Sequence, residues 1–320
     1  MENTKTSPKD FFLHLLAIIA LYMSAASLMT LLFQYINVLF PDPLSYANYT
    51  GIAGAIRYAM ATLIIIFPVY IFVSKMLNGE YAVTPEKREY RLRKWLVYFT
   101  LFIAGITVIT DLVVLIYNFL GGDLTNRFAL KILVVLLVAA VVFWYYQKDL
   151  KNALSQKQIK ALAYGVSIFI LLSIVAGFFT AGSPMKARLY NFDERKVSDL
   201  QSIQYQITNY WQRKEALPAT LSDLTDSISG FAAAKDPQTL SDYEYAVKEK
   251  TKFELCATFN LPSDFGAIGK SLSGMPSSSI GMYNENWDHE AGRQCFERTI
   301  DPALYPKINA AGVPAKVLSQ

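Results

Sequence analysis

Five apolar stretches, each about 20 residues or longer and bounded by polar or charged breaks, fill the first 183 residues of the chain. They run from Phe11 to Phe40, Ile52 to Met76, Trp95 to Leu120, Phe128 to Tyr146 and Ala161 to Ala181. A helix needs about 20 apolar residues to cross roughly 30 Å of hydrocarbon, so each stretch is long enough for one crossing. Beyond Ser183 the chain has no such stretch. The expected fold class is a multi-pass α-helical membrane protein with five transmembrane helices and a small α+β exported C-terminal domain. The expected parts are a four-helix membrane domain over 1–151, a fifth helix within 152–182, an exported domain over 183–300 and a flexible tail over 301–320.

Two features refine the first helices. The prolines of Pro41-Asp42-Pro43 end the first helix, because proline cannot continue one. Pro68 falls inside the second and is expected to kink that helix rather than stop it. Lys5 and Lys9 precede an apolar run with Ser24-Ala25-Ala26 inside it, as in a cleaved signal peptide. Cleavage there would leave only about 14 apolar residues before Pro41, too few to span, so retention is expected.

Charge sets the orientation. Up to Ser183 the chain carries 15 Lys/Arg against 9 Asp/Glu, and the remainder carries 15 against 17. In the loops, twelve basic residues lie on one side: Lys5, Lys9, Lys75, Lys87, Arg88, Arg91, Arg93, Lys94, Lys148, Lys151, Lys157 and Lys160. Five lie on the other: Arg57, Arg127, Lys131, Lys186 and Arg188. Basic loops stay in the cytoplasm, which puts the N-terminus inside, at the cell membrane, and the segment after the fifth helix outside. Trp95, Tyr98, Trp144, Tyr145 and Tyr146 fall at the expected inner edges, where amphipathic rings sit in the interface. The pI of ≈ 8.8 is therefore a topology signal and no argument for a nucleic-acid partner.

Polar residues within the apolar stretches form two stripes. Ser27, Thr30, Gln34 and Asn37 share one face of the first helix, and Thr100, Thr107, Asp111 and Asn118 one face of the third. Asp111 lies about 24 Å along its helix from Trp95, toward the outer surface. Arg57 and Lys131 enter from that surface and are long enough to reach toward it. One reading makes Asp111, Arg57, Lys131 and Gln34 an outward-facing ion or small-solute site, within an intramembrane polar cluster that also holds Asn37, Asn118, Thr107 and Thr30. The other makes them a structural pair within interhelical hydrogen bonds, with Gly51, Ala55 and Ala59 letting the second helix pack closely. His14, near the inner end of the first helix, reads as packing or interfacial.

The first four helices resemble a duplicated hairpin. Met29-Thr30-Leu31-Leu32, Asn37 and Asp42 recur loosely as Ile109-Thr110-Asp111-Leu112, Asn118 and Asp123, and Arg57-Tyr58-Ala59 as Arg127-Phe128-Ala129. Over about Lys9 to Lys151, segments such as Phe11-Phe12-Leu13-His14-Leu15, Phe67-Pro68-Val69-Tyr70, Pro85-Glu86-Lys87-Arg88 and Tyr117-Asn118-Phe119-Leu120-Gly121-Gly122 resemble a bacterial family of uncharacterised multi-pass membrane domains. That resemblance implies a four-helix membrane unit and no established activity.

Cys256 and Cys295 are the only cysteines and both fall in the segment placed outside, so they read as a disulfide. Around them, apolar residues at spacings of three and four predict a helix over Asp193–Lys214. Two β-like runs, Tyr243–Val247 and Phe253–Phe259, predict a hairpin. The stretch to Met282 is rich in Gly and Ser and reads as a long loop. Asp288-His289-Glu290, with Glu285, reads as solvated. The order of elements, with Leu217-Pro218-Ala219-Thr220-Leu221 and Lys235-Asp236-Pro237 between helix and strands, resembles the C-terminal part of type IV pilins and type II secretion pseudopilins. No prepilin-peptidase site precedes the fifth helix, which argues against processing into a fibre. Some pseudopilins bind calcium near the hairpin, which makes Asp236 or Asp242 the positions to inspect, although their spacing is not diagnostic; the resemblance also implies envelope or pilus-assembly partners for 183–300. No phosphate-cradling loop, nucleophile elbow or HExxH motif occurs, so no enzymatic activity and no cofactor are expected.

Overall fold

The computed structural model describes residues 8–42, 49–84, 90–122, 125–151, 153, 155–263, 268 and 287–308. Two compact units divide the chain near Gly182.

The first unit contains five helices long and apolar enough to cross a membrane. They are α1 (Pro8–Leu39), α2 (Tyr49–Val83), α3 (Arg91–Gly121), α4 (Asn126–Leu150) and α5 (Gln156–Ala181). Each expected stretch is present and extends by up to about two turns into flanking polar residues. Local chemistry fixes several ends. Thr125 caps α4 by accepting from the Phe128 N–H, and Ser155 forms a reciprocal capping box with Gln158 ahead of α5. Gly122 closes α3 in the left-handed conformation that glycine adopts without steric cost, its N–H donating to the Asn118 and Phe119 carbonyls. Pro68 lies inside α2, which continues through it.

Helix α1 is the hub, packing against α2, α3, α4 and α5. Its buried face mixes small and aliphatic residues, Ala17, Ala20, Ser24, Ser27, Leu28 and Leu31 among them. In α2 the buried face runs through Ala53, Ile56, Ala59 and Leu63. Ala59 is thus a close-packing position as expected, whereas Gly51 is exposed. Helix α5 seats on α1 and α2 through Gly177, where a Cβ would overlap Met60 Sδ and come within 2.9 Å of the Tyr35 hydroxyl. That hydroxyl donates to the Ser173 carbonyl of α5 at 2.5 Å.

The second unit is a helix laid on a three-stranded antiparallel sheet. Helix α6 spans Pro184–Lys214, a 3-10 turn comes next at Leu221–Leu224, and the strands are β1 (Glu244–Glu249), β2 (Lys252–Phe259) and β3 (Gly292–Thr299), in the order β1-β2-β3. Leu200, Ile203 and Ile207 of α6 pack with Phe253, Leu255, Phe259, Phe296 and Trp287 to form the core.

Three expectations are revised. Helix α6 starts at Pro184 rather than near Asp193, because Ser183 caps it and Pro184 takes the first helical position, where its missing N–H costs nothing. The hairpin gains a third strand, β3. The tail expected over 301–320 is tied down in its described part. The Ile308 N–H donates to the Gln212 carbonyl at 3.0 Å, and Lys307 pairs with Glu215 at 2.9 Å. The Gly/Ser-rich loop before Met282, Glu285 and 309–320 lie outside the described residues.

Candidate functional site

A dense polar arrangement of described residues lies at the end where α1 and α3 begin and α2 and α4 finish. Each hairpin is latched there by an ion pair. Lys9 of α1 meets Glu80 of α2 at 2.6 Å, and Arg93 of α3 meets Asp149 of α4 at 2.5 Å. Arg93 is only 7% exposed. Its guanidinium also lies over the Tyr81 ring, 5.2 Å from the centroid, a second compensation for taking the charge out of water.

His14 joins the same cluster. Its Nδ1 lies 2.6 Å from the Asp10 carbonyl and its Nε2 2.6 Å from the Tyr81 hydroxyl. A carbonyl only accepts, so Nδ1 carries the proton, and in the neutral ring Nε2 accepts from Tyr81. Tyr70 of α2 interacts through its hydroxyl with Ser74 and with Tyr146 of α4. These side chains, with Asn78 and Tyr145, wall a cavity of about 70 Å³. It has room for several water molecules and many polar groups to hold them. His14, read from the sequence as packing or interfacial, is a buried and hydrogen-bonded part of this cavity's wall. Its partner Tyr81 is 67 positions away, a distance at which no local spacing signals the contact.

The polar cluster around Asp111 divides. Gln34 and Asn37 come together, with Asn37 Nδ2 donating to Gln34 Oε1 at 2.9 Å. Their cation is Arg127, whose Nε donates to Asn37 Oδ1 at 2.9 Å and which approaches Asp42 at 4.0 Å. Among the described residues no ion pair joins Asp111 to Arg57 or Lys131. Asp111 is 9% exposed, and its Oδ2, the Arg57 Nη2 and the Ser24 Oγ are buried without a hydrogen-bond partner among those residues. Lys131 sits over the Phe33 ring at 5.9 Å. Thr107 and Asn118 donate back to their own helix, to the Ile103 and Val114 carbonyls, and Thr30 is half-buried. Between the two ends, Tyr22 of α1 donates to Thr100 of α3 at 3.1 Å.

In the second unit, Cys256 and Cys295 form a disulfide, as expected. They are direct cross-strand partners on β2 and β3. Away from the sulfurs, Lys196 is 2% exposed and enclosed by oxygen. It donates to Gln238 Oε1 at 2.5 Å and the Thr258 carbonyl at 2.6 Å, with Asp236 at 3.5 Å and Asp193 at 3.7 Å. Asp193 also accepts from the Asn260 and Leu261 backbone N–H groups. Asp236 therefore faces a lysine ammonium, and Asp242 pairs with Lys235 at 3.4 Å. The protein's own cations serve the two carboxylates that the pseudopilin resemblance marks for calcium. Burial pushes Asp199 above the usual carboxylate range, and the Tyr243 hydroxyl that donates to it at 3.0 Å works in the opposite direction. His289 stacks on Phe259 with centroids 3.6 Å apart, and burial pushes its ring pKa down.

Residues 10–146 match a family model described as a domain of unknown function, DUF5671. That stretch contains every wall of the cavity except Asp149 and none of α5 or the sheet. No curated protein and no solved structure matches the chain. The cavity is thus the candidate site of the family-matched part, and the disulfide-bearing sheet belongs to the part beyond it.

Proposed function

We propose that this chain is a multi-pass protein of the cell membrane with a cytoplasmic N-terminus. Its second unit then stands on the extracytoplasmic side and binds protein partners of an envelope or pilus-type assembly, in a non-enzymatic role. The observation that carries the reading is the Cys256–Cys295 disulfide, since such bonds form and persist in oxidising compartments. The twelve-to-five distribution of loop Lys/Arg supports the same orientation. Tyr205, Ile228 and Leu304 of the second unit are exposed apolar side chains that a protein partner would cover. Alkaline-phosphatase fusions test the orientation: activity is expected to be low after Lys151 and high after Ser183, and the reverse overturns it. Crosslinking of intact cells through 183–300 with mass spectrometry tests the partner, and the absence of any reproducible envelope partner overturns that role.

A second reading is favoured by one observation, the buried and unpartnered Asp111 Oδ2. A carboxylate inside a membrane is costly, and such residues mark substrate and ion pathways. Unchanged ion and solute flux into proteoliposomes for Asp111→Asn overturns it.

A further inference from the structure

The disulfide occupies an unusual place in its sheet. Side chains alternate across a strand, and Phe253 and Leu255, at 1% and 0% exposure, point into the core beneath α6. Cys256 therefore points to the opposite face. That face carries the ion pairs Lys248–Glu254 at 3.0 Å, Lys252–Glu297 at 2.7 Å and Arg293–Glu244 at 2.6 Å. Glu244, Cys256 and Cys295 form one row across the three strands. Arg293, two residues before Cys295, reaches from β3 across Cys256 to Glu244 on β1. Its Nε and Nη2 hold the carboxylate, and its Nη2 lies 3.6 Å from Cys256 Sγ. Cys256 is thereby covered, at 3% exposure, whereas Cys295 is half-buried.

The two sulfurs are therefore unequal. Exchange is faster when the attacked sulfur is accessible and the departing thiolate is stabilised. Here access favours Cys295, and the guanidinium N–H stabilises a thiolate at Cys256. The Glu254 carboxylate is also close to both sulfurs, but its charge is engaged by Lys248.

We propose that Cys256–Cys295 is a thiol–disulfide exchange site for a dithiol reductant, with Cys295 Sγ as the electrophile and Cys256 as the leaving thiolate. A thiolate of the reductant attacks Cys295 Sγ and the S–S bond breaks. Its electron pair goes to Cys256 Sγ, beside Arg293. The mixed disulfide at Cys295 is then attacked by the second thiol of the reductant. This frees Cys295 and leaves the reductant oxidised to its own disulfide, while the protein gains two electrons and two protons as thiols. Because the pair lies outside the core, neither step requires the helix and sheet to separate. The sheet geometry and the Arg293 guanidinium set this order of attack, whichever side of a membrane the second unit occupies.

The test uses the full chain in detergent micelles with reduced glutathione as the attacking thiol. After an acid quench and alkylation, peptide mass spectrometry reads which cysteine carries glutathione. The expected result is an adduct on Cys295 over Cys256 by about tenfold or more. Reduction of Arg293→Gln by dithiothreitol is expected to slow about threefold, with Arg293→Lys intermediate. An adduct on Cys256, or an even split, overturns the assignment. So does reduction that occurs only after unfolding in denaturant. The wild-type adduct decides the matter even where a variant fails to fold.

Discussion

The Arg93 guanidinium of α3 meets the Asp149 carboxylate of α4 at 2.5 Å while lying over the Tyr81 ring of α2, so one side chain ties three helices together. Removing one partner of a buried pair leaves the other charge uncompensated. Asp149→Leu is expected to cost about 3 to 5 kcal/mol. The double variant Arg93→Met with Asp149→Leu is expected to recover most of that loss. Thermal unfolding in micelles checks both. A double variant no better than the single one shows that Arg93 acts through Tyr81 rather than Asp149.

The contact of Gly177 with Met60 and Tyr35 leaves no room for a side chain. Gly177→Leu is expected to destabilise the helical unit by about 1 to 3 kcal/mol through overpacking. Gly165, which a Cβ would leave in open space, supplies the control: Gly165→Ala is expected to be neutral or slightly stabilising in the same melt.

Lys196 neutralises Asp193 and Asp236 from a position with almost no access to water. Lys196→Met keeps the length of the side chain and removes its charge. The expected loss is about 3 to 5 kcal/mol, confined to the second unit. Hydrogen exchange read by mass spectrometry should show faster exchange in Phe253–Phe259 with α1–α4 unchanged.

Asp199 gives the second unit a pH dependence of defined sign. Its folded pKa is raised, with burial the main cause. Its contribution to stability is therefore fully present below the ordinary carboxylate pKa and is lost as pH rises through the raised folded value. Asp199→Asn is expected to flatten that part of the profile, read as exchange protection of β2 from about pH 3 to about pH 7. Glu244 has the opposite sign, since the Arg293 hydrogen bond holds its pKa down. Its contribution is present above the ordinary value and lost as pH falls through the lowered one.

Leu240 holds a left-handed backbone at φ 60 with its side chain 73% exposed. A side chain in that region costs about 1 kcal/mol and packs against little here. Leu240→Gly is expected to raise the stability of the second unit by about that amount. An unchanged or lower melting temperature rejects the strain.

The five long helices were legible because apolar length is a property of consecutive residues, and the disulfide because two cysteines leave one pairing. The third strand was not. Gly292–Thr299 carries Arg293 and Glu297, whose charges sit over an outer face that only the paired sheet creates, and Arg298, whose guanidinium lies over the Trp287 ring on the core side. The cavity was hidden for a different reason. His14, Tyr81, Arg93 and Asp149 each have an ordinary local meaning as packing, interface or topology residues, and they acquire a joint one only when four helices converge. Asp111 was legible as an unusual residue, but its neighbours were not, since Gln34 and Asn37 turn to Arg127 instead.

Helix α1 touches each of the other four long helices of its unit. It is also the first of them to leave the ribosome. Every later helix can therefore be added to a surface that already exists, so the bundle can grow in the order of synthesis without waiting for its final member. A substitution on the buried face of α1 would then be felt at each addition, whereas one on α5 would be felt only at the last.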